Sequence, residues 1–537
     1  MRLDKEGLQD SAAWKAAGYH VPAYDREKLT ENTKKKPEWI HFGAGNIFRA
    51  YQANLMQQLM EEGKSDTGLI VAEGFDYEII EKMYRPHDDY SILVTLKGNG
   101  DVEKTVIGSI VESLILDSEN EAEFSRLKEI FAAPSLQMAS FTITEKGYSL
   151  VDGKGDMLPA IQRDLENGPK KPESYLGKVC ALVYERYLQG KLPLALVSMD
   201  NCSHNGDKLK QAVVAFAKGW TEAGTAEAGF MDYVNDVTKL SFPWSMIDKI
   251  TPRPDPKVEA ILEADNIEGL EKAVTSKNTW VAPFVNAEEC QYLVIEDAFP
   301  NGRPALEETG VIFTARETVD KVEKMKVCTC LNPLHTTLAV YGCLLGYELI
   351  SEEMKNPALK KLVERIGYQE GLPVVVNPGI LEPKKFIDEV LQLRIPNPFM
   401  PDTPQRIATD TSQKLPIRFG ETIKAYMASK ELDVDSLEGI PLVFAGWLRY
   451  LMGVDDKGNP FTPSPDPLLE TLMPLLADVK LGADCDVKAV ISPILKRDDI
   501  FGVDLTQSVL GEKVIAMFTE MIQGTGAIAG LLERVYG

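Results

Sequence analysis

Positive charge, histidine and long apolar runs are what this sequence has least of. It carries 58 Lys and Arg against 81 Asp and Glu, a formal net charge of −23. A surface this acidic repels phosphate backbones and anionic lipid heads, so neither nucleic acid nor membrane is an expected partner. A small anionic substrate stays open, because a local group of Arg and Lys can outvote the average. No run of roughly 18 apolar residues occurs, so no membrane-spanning helix is expected. The opening MRLDKEGLQDSAAWKAAGYH is charged throughout and lacks the apolar centre of a signal peptide. Cysteines number only seven: Cys180, Cys202, Cys290, Cys328, Cys330, Cys343 and Cys485. Odd in number and scattered, they fit the reduced thiols of a cytoplasmic protein rather than a disulfide frame. Cys328 and Cys330 form C-x-C without a second ligand pair, so no metal centre is expected.

What is present is ordinary globular material, 44% apolar, in a chain of 537 residues. That length is too great for one hydrophobic core, so two domains are expected. In the first part, short apolar runs alternate with helical spacing: WIHF (39–42), GLIVAEGFD (68–76), YSILVTL (90–96), TVIGSIVESLIL (105–116), MASFTITEKGY (138–148) and LPLALVSMDN (192–201). Such alternation argues for a parallel α/β sheet of Rossmann type. From about residue 319 the pattern turns helical, as in RETVDKVEKMK and HTTLAVYGCLLGYELI, punctuated by connectors such as RIPNPFMPDTPQR. The expectation is an α/β dinucleotide-binding domain over 1–318 and an all-α substrate-binding domain over 319–537.

Near the start, a buried strand (39–42) runs into Gly43-Ala44-Gly45, and a helix opens at Asn46, with Ile47, Phe48 and Arg49 in its first turn. Strand, Gly-x-Gly, helix is how a βαβ unit cradles a pyrophosphate, offering close backbone approach and free N–H groups at a helix start. The third glycine of G-x-G-x-x-G is absent, and Phe48 stands in its place. The next strand ends at Glu73 and Asp76, where a carboxylate can hold a ribose 2′-hydroxyl and disfavour a 2′-phosphate. That points to NAD rather than NADP. The plain alternative is a glycine turn followed by exposed acids.

The second concentration of chemistry is MKVCTCLNPLHTT (325–337), which packs Lys326, Asn332 and His335 into ten positions. Asn332-Pro333 reads as a helix start, with asparagine as the N-cap and His335 in the first turn. Taken singly, Asn332 only caps, His335 is a boundary histidine and Lys326 is solvated. Polar residues at the ends of the apolar runs 138–148 and 192–201, and Arg406 and Lys414 in QRIATDTSQKLPIR (405–418), give the stretch company.

Together these segments resemble the polyol-specific long-chain dehydrogenases, the family of mannitol 2-dehydrogenase and the hexuronate reductases. The resemblance runs from about Ile40 to Ile423. It rests on Gly43-x-Gly45-x-x-x-Arg49-Ala-x-Gln52, Thr142-x-Thr144-Glu145-x-Gly147-Tyr148, Asp200-Asn201, MIDKITP (246–252), IEDAFPNGRP (295–304), Asn332-x-x-His335 and DTSQKLP (410–416). It implies NAD(P)-dependent, metal-free hydride transfer and accounts for the missing third glycine. It implies Lys326 as general acid–base, Asn332 with Asn201 as donors to the reacting oxygen, and His335 as the group that orients substrate. It places Thr144 and Glu145 near the nicotinamide, and Asp248, Arg406 and Lys414 on the substrate side. The family usually has four residues between the lysine and the asparagine. Here Val327–Leu331 makes five, so Lys326 needs a bulge or a shifted helix start, with Lys324 as the fallback.

The reading is therefore a cytoplasmic NAD(H)-dependent oxidoreductase interconverting D-fructuronate and D-mannonate, a monomer or small homo-oligomer. Mannitol 2-dehydrogenase, or another polyol or hexuronate dehydrogenase, is the alternative within the class. A catalytically inactive NAD-binding regulator is the alternative outside it.

Overall fold

The computed structural model describes residues 1–537. The chain divides into two compact units, residues 1–97 with 101–320, and residues 98–100 with 321–537.

The first unit is built on six parallel strands: β1 (Trp39–Phe42), β2 (Leu69–Glu73), β3 (Ile110–Ile115), β4 (Met138–Phe141), β5 (Leu194–Ser198) and β6 (Leu240–Ser241). Their spatial order is β3-β2-β1-β4-β5-β6, the doubly wound arrangement of a dinucleotide-binding sheet. β1, β2, β4 and β5 are buried along their whole length, as strands covered on both faces must be. Alternation sends Ile40, Phe42, Ile70, Phe141 and Leu196 into one core layer. It sends Trp39, Leu69, Val71, Met138 and Val197 into the other.

Not every apolar run joins this sheet. The strands Ser91–Leu96 and Val102–Ile107 form an antiparallel pair in a separate four-stranded sheet with Tyr19–His20 and Phe284–Glu288. The run 105–116 is split at Gly108 and Ser109, and only its second half becomes β3. Periodicity shows that a run is buried, but not which sheet buries it.

The glycine turn is followed by a π-turn, Phe48–Gln52, and then by helix α1 (Ala53–Glu61). Phe48 is fully buried. Its ring stacks on His41 of β1, with centroids 4.3 Å apart. His41 lies between the hydroxyls of Ser140 (2.7 Å) and Thr142 (2.8 Å). Burial pushes its pKa down to about 3, so the imidazole is neutral. In a G-x-G-x-x-G loop the third glycine lets the helix close on the strand. Here an aromatic pair fills that space instead. Phe48→Gly restores the glycine pattern, yet it should cost about 3–5 kcal/mol in a denaturant melt, because it opens a ring-sized cavity against β1. A variant as stable as the parent overturns this account.

The regular structure of the second unit is helical throughout. Helix α2 (Arg316–Met325) continues through a π-turn, Lys326–Cys330, into helix α3 (Asn332–Leu345). α3 is buried over most of its length and ends at Gly346, which takes the left-handed conformation (φ +79°) of a helix stop. It packs against helix α4 (Gly439–Tyr450), where the Tyr341 hydroxyl donates to the Leu442 carbonyl at 2.7 Å. A Cβ on Gly446 would lie 2.8 Å from the Tyr341 ring, so glycine permits this close approach.

Candidate active site

The candidate residues fall into two sets, one in each unit. In the first unit they gather at the carboxyl ends of β1, β2, β4 and β5, where open parallel sheets bind ligands. Gly43 has φ +108°, and a Cβ there would stand 2.2 Å from the Thr142 carbonyl oxygen. Only glycine fits. Gly45 is the opposite case: a Cβ there would meet nothing within 4 Å. The loop is therefore held tightly at one glycine and open at the other, as a cradle for a pyrophosphate requires. Asn46 accepts from Arg49 Nη2 at 3.0 Å through Oδ1, and its Nδ2 donates to the Pro252 carbonyl at 3.4 Å. Ile47 is half-buried beside it. Arg49 is buried, and its Nη1 donates to the Ala282 carbonyl at 2.7 Å, which braces the turn from behind.

Glu73, expected as a strand-end carboxylate for a ribose 2′-hydroxyl, is buried. It accepts N–H bonds from Ala44 (2.8 Å), Phe75 (2.8 Å) and Asp76 (3.2 Å). Its burial raises its pKa, and the three N–H donors oppose that rise. One carboxylate thus ties the glycine loop to the end of β2. Asp76 is also buried; its Oδ2 accepts from the Thr275 hydroxyl at 2.6 Å, while its Oδ1 has no partner.

At the ends of β4 and β5, one residue organises the others. Asp200 accepts from the N–H groups of Ile143 and Thr144, both at 2.9 Å, and from the Tyr148 hydroxyl at 2.5 Å. Thr144 is held at φ +65°, unfavourable for a β-branched residue. Asp200 was visible in the sequence only as a neighbour of Asn201; its bracing role is a finding of the tertiary structure. Asn201 follows it at the surface. Glu145 is exposed and pairs with Lys208 at 3.0 Å. Asp248 ends the strand Ser245–Asp248 and is buried.

In the second unit, Lys326 is 3% exposed and opens the π-turn. The N–H of Leu331 bonds back to the Lys326 carbonyl at 3.1 Å, a span of five residues. A π-turn is how a helix absorbs one inserted residue without changing course. The bulge that the extra residue demands is present. Asn332, expected as an N-cap, is instead the first residue of α3, and no side-chain cap closes that helix start. The π-turn runs directly into α3, so the chain never adopts the extended geometry in which asparagine caps. The carboxamide is not spent on the helix end.

His335 is largely buried, 3.5 Å from Asp402. Its pKa is pushed down to about 4, chiefly by burial, with Asp402 opposing and Arg418, Arg394 and Arg406 reinforcing. The imidazole is neutral near pH 7. Arg406 forms an ion pair with Asp402. Lys414 donates to the carbonyls of Ile407 (3.2 Å) and Thr409. Its pKa falls to about 8, first from burial and then from the Arg418 charge. Asp402 is a residue that sequence reasoning missed. The only signal for it was its spacing of four from Arg406.

Residues 37–308 match the mannitol dehydrogenase Rossmann domain and residues 318–523 the mannitol dehydrogenase C-terminal domain. The chain belongs to the mannitol dehydrogenase family. It is 52% identical to the D-mannonate oxidoreductase of Thermotoga maritima, over 100% of this chain and 99% of that one. It is 28% identical to the D-mannonate oxidoreductase of Escherichia coli, over 91% and 92%. Among solved structures, it resembles the ternary complex of Pseudomonas fluorescens mannitol 2-dehydrogenase with NAD and D-mannitol, with a TM-score of 0.69, 28% identity, and coverage of 100% and 99%.

Two expectations follow from the geometry. Gly45→Ala should fold normally and weaken NADH binding by roughly tenfold or more in a fluorescence titration. Gly43→Ala should lose more than about 2 kcal/mol of stability; equal behaviour of the two would refute the cradle. Asn332→Ala should lower kcat by about 10²–10³ with little change in melting temperature, since no cap is lost. A loss of stability without a loss of kcat would return Asn332 to a structural role.

Proposed function

We propose that this protein is an NAD-dependent oxidoreductase that interconverts D-fructuronate and D-mannonate. One observation carries the substrate: the end-to-end relation at 52% identity to a D-mannonate oxidoreductase, against 28% to a mannitol 2-dehydrogenase. The open face of Gly45 at the carboxyl end of β1 supports NAD as the cofactor. When bound, NAD accepts the hydride in oxidation and supplies it in reduction. Asn46, Ile47, Phe48 and Arg49 build and brace the turn that receives it.

The chain's own residues handle the proton and the oxygen. In mannonate oxidation, the hydroxyl proton passes to the Lys326 amine as the carbinol carbon gives up its hydride. In the reverse direction Lys326 returns that proton to the carbonyl oxygen. Asn332, with Asn201, donates to the oxygen as charge develops on it. His335, neutral and held by Asp402, orients a substrate hydroxyl. Thr144 and Glu145 lie on the cofactor side, and Asp248, Arg406 and Lys414 hold the rest of the sugar. The proton reaches a side chain in this scheme, so no metal is needed to acidify the hydroxyl. The protein works in the cytoplasm as a monomer or small homo-oligomer.

The assay is NADH oxidation with fructuronate and with fructose. Fructuronate should be the better substrate, and NADH should exceed NADPH in kcat/KM. Lys326→Ala should lose about 10²–10⁴ in rate, flatten the pH dependence of oxidation and be partly rescued by small amines. Lys324→Ala should change little. Faster reduction of fructose overturns the substrate, and an inactive Lys324→Ala beside an active Lys326→Ala overturns the base.

A further inference from the structure

Arg406, Lys414 and Arg418 bring three positive charges to one part of the second unit, and the structure separates them by what each already holds. Arg406 is spent on Asp402, with its side chain 63% exposed. The Lys414 ammonium is spent on two backbone carbonyls, and the carboxylates of Asp410 and Asp466 act on it as well. Arg418 differs. It forms no ion pair with a carboxylate, and burial alone perturbs its basicity. Its Nη1 donates to the Thr336 hydroxyl at 2.5 Å. That bond leaves the Nε–Nη2 edge of the guanidinium, the edge that accepts a carboxylate in a two-pronged grip.

The position is also prepared. Arg418 rides the π-turn Pro416–Gly420. A Cβ on Gly420 would stand 2.6 Å from the Phe501 carbonyl oxygen, so this turn is packed hard against the chain behind it. Thr336, which aims the guanidinium, is the neighbour of His335 in the first turn of α3. The Arg418 charge is close enough to act on both His335 and Lys414. A half-buried guanidinium without an anion is costly to keep, and a ligand carboxylate offsets that cost.

We propose that Arg418 is the residue that binds the carboxylate of the substrate, and that it thereby separates hexuronates from neutral ketoses. The assignment rests on the hexuronate reading given above. It makes Arg418 the specificity determinant, with Arg406 and Lys414 serving parts of the sugar that uronates and neutral polyols share.

The test compares kcat/KM for fructuronate and for fructose in the parent enzyme, Arg418→Gln, Arg418→Lys and Thr336→Val, with a thermal melt of each. Arg418→Gln should lower the fructuronate-to-fructose ratio by about 10²-fold, mostly through KM for fructuronate. Arg418→Lys retains charge without the fork and should lower the ratio by about tenfold. Thr336→Val loosens the aim and should fall between the parent and Arg418→Gln. If Arg418→Gln does not fold, Arg418→Lys and Thr336→Val decide the question. Equal loss on both substrates, or an unchanged ratio in a folded variant, overturns the role of Arg418 while leaving the hexuronate reading intact. A parent enzyme that prefers fructose overturns the hexuronate reading itself, and the two failures are therefore distinct.

Discussion

One backbone hydrogen bond, from the Leu331 N–H to the Lys326 carbonyl, sets the path by which the chain of the second unit enters its buried helix α3. It closes a turn one residue wider than an α-helical turn, so five intervening residues occupy the path that four would take. Without it, either Lys326 or the pair Asn332 and His335 would be rotated away from its place in the helix that follows. The same device recurs where the chain places other charged groups, since Arg394 lies on the π-turn Val390–Arg394 and Arg418 on Pro416–Gly420. A wider turn shifts one side chain around the helix axis while preserving the packing on either side.

The first unit relies on buried carboxylates in a comparable way. Glu73 and Asp200 each collect three hydrogen bonds at strand ends. A buried carboxylate is costly when alone, but N–H and O–H donors directed at it offset the desolvation. These two acids hold the glycine loop and the strained Thr144 in fixed conformations, so a ligand meets a surface already shaped. Asp402 does related work in the second unit, restraining His335 from one side and Arg406 from the other.

A chain with an overall charge of −23 nevertheless gathers Arg394, Arg406 and Arg418 near His335, and the last two near Lys414 as well. Their repulsion and their burial both weigh against the charged forms, which is why Lys414 falls to about 8 and His335 to about 4. The distribution of partners within this group differs from cation to cation: Arg406 pairs with Asp402, Lys414 with backbone carbonyls and Arg418 with the Thr336 hydroxyl.

Much of this was legible in the order of residues. Buried strands must be apolar and short, so WIHF, LIVAE, MASF and LALVS announced themselves, as did the glycine turn and the helical second half. Lys326, Asn332 and His335 stood out as candidates because chemistry restricts residue type and spacing along the chain. Local sequence did not decide that Ser91–Leu96 would leave the parallel sheet, that Phe48 would stack on His41, or that Asn332 would begin a helix without capping it. Nor did it distinguish Arg418 from Arg406 and Lys414. Those outcomes depend on partners far away along the chain: Phe284–Glu288 beside a strand, Thr336 beside a guanidinium, Asp402 beside the His335 imidazole. Spacing within one segment sets which groups are available; which of them are already satisfied is decided only when distant segments pack.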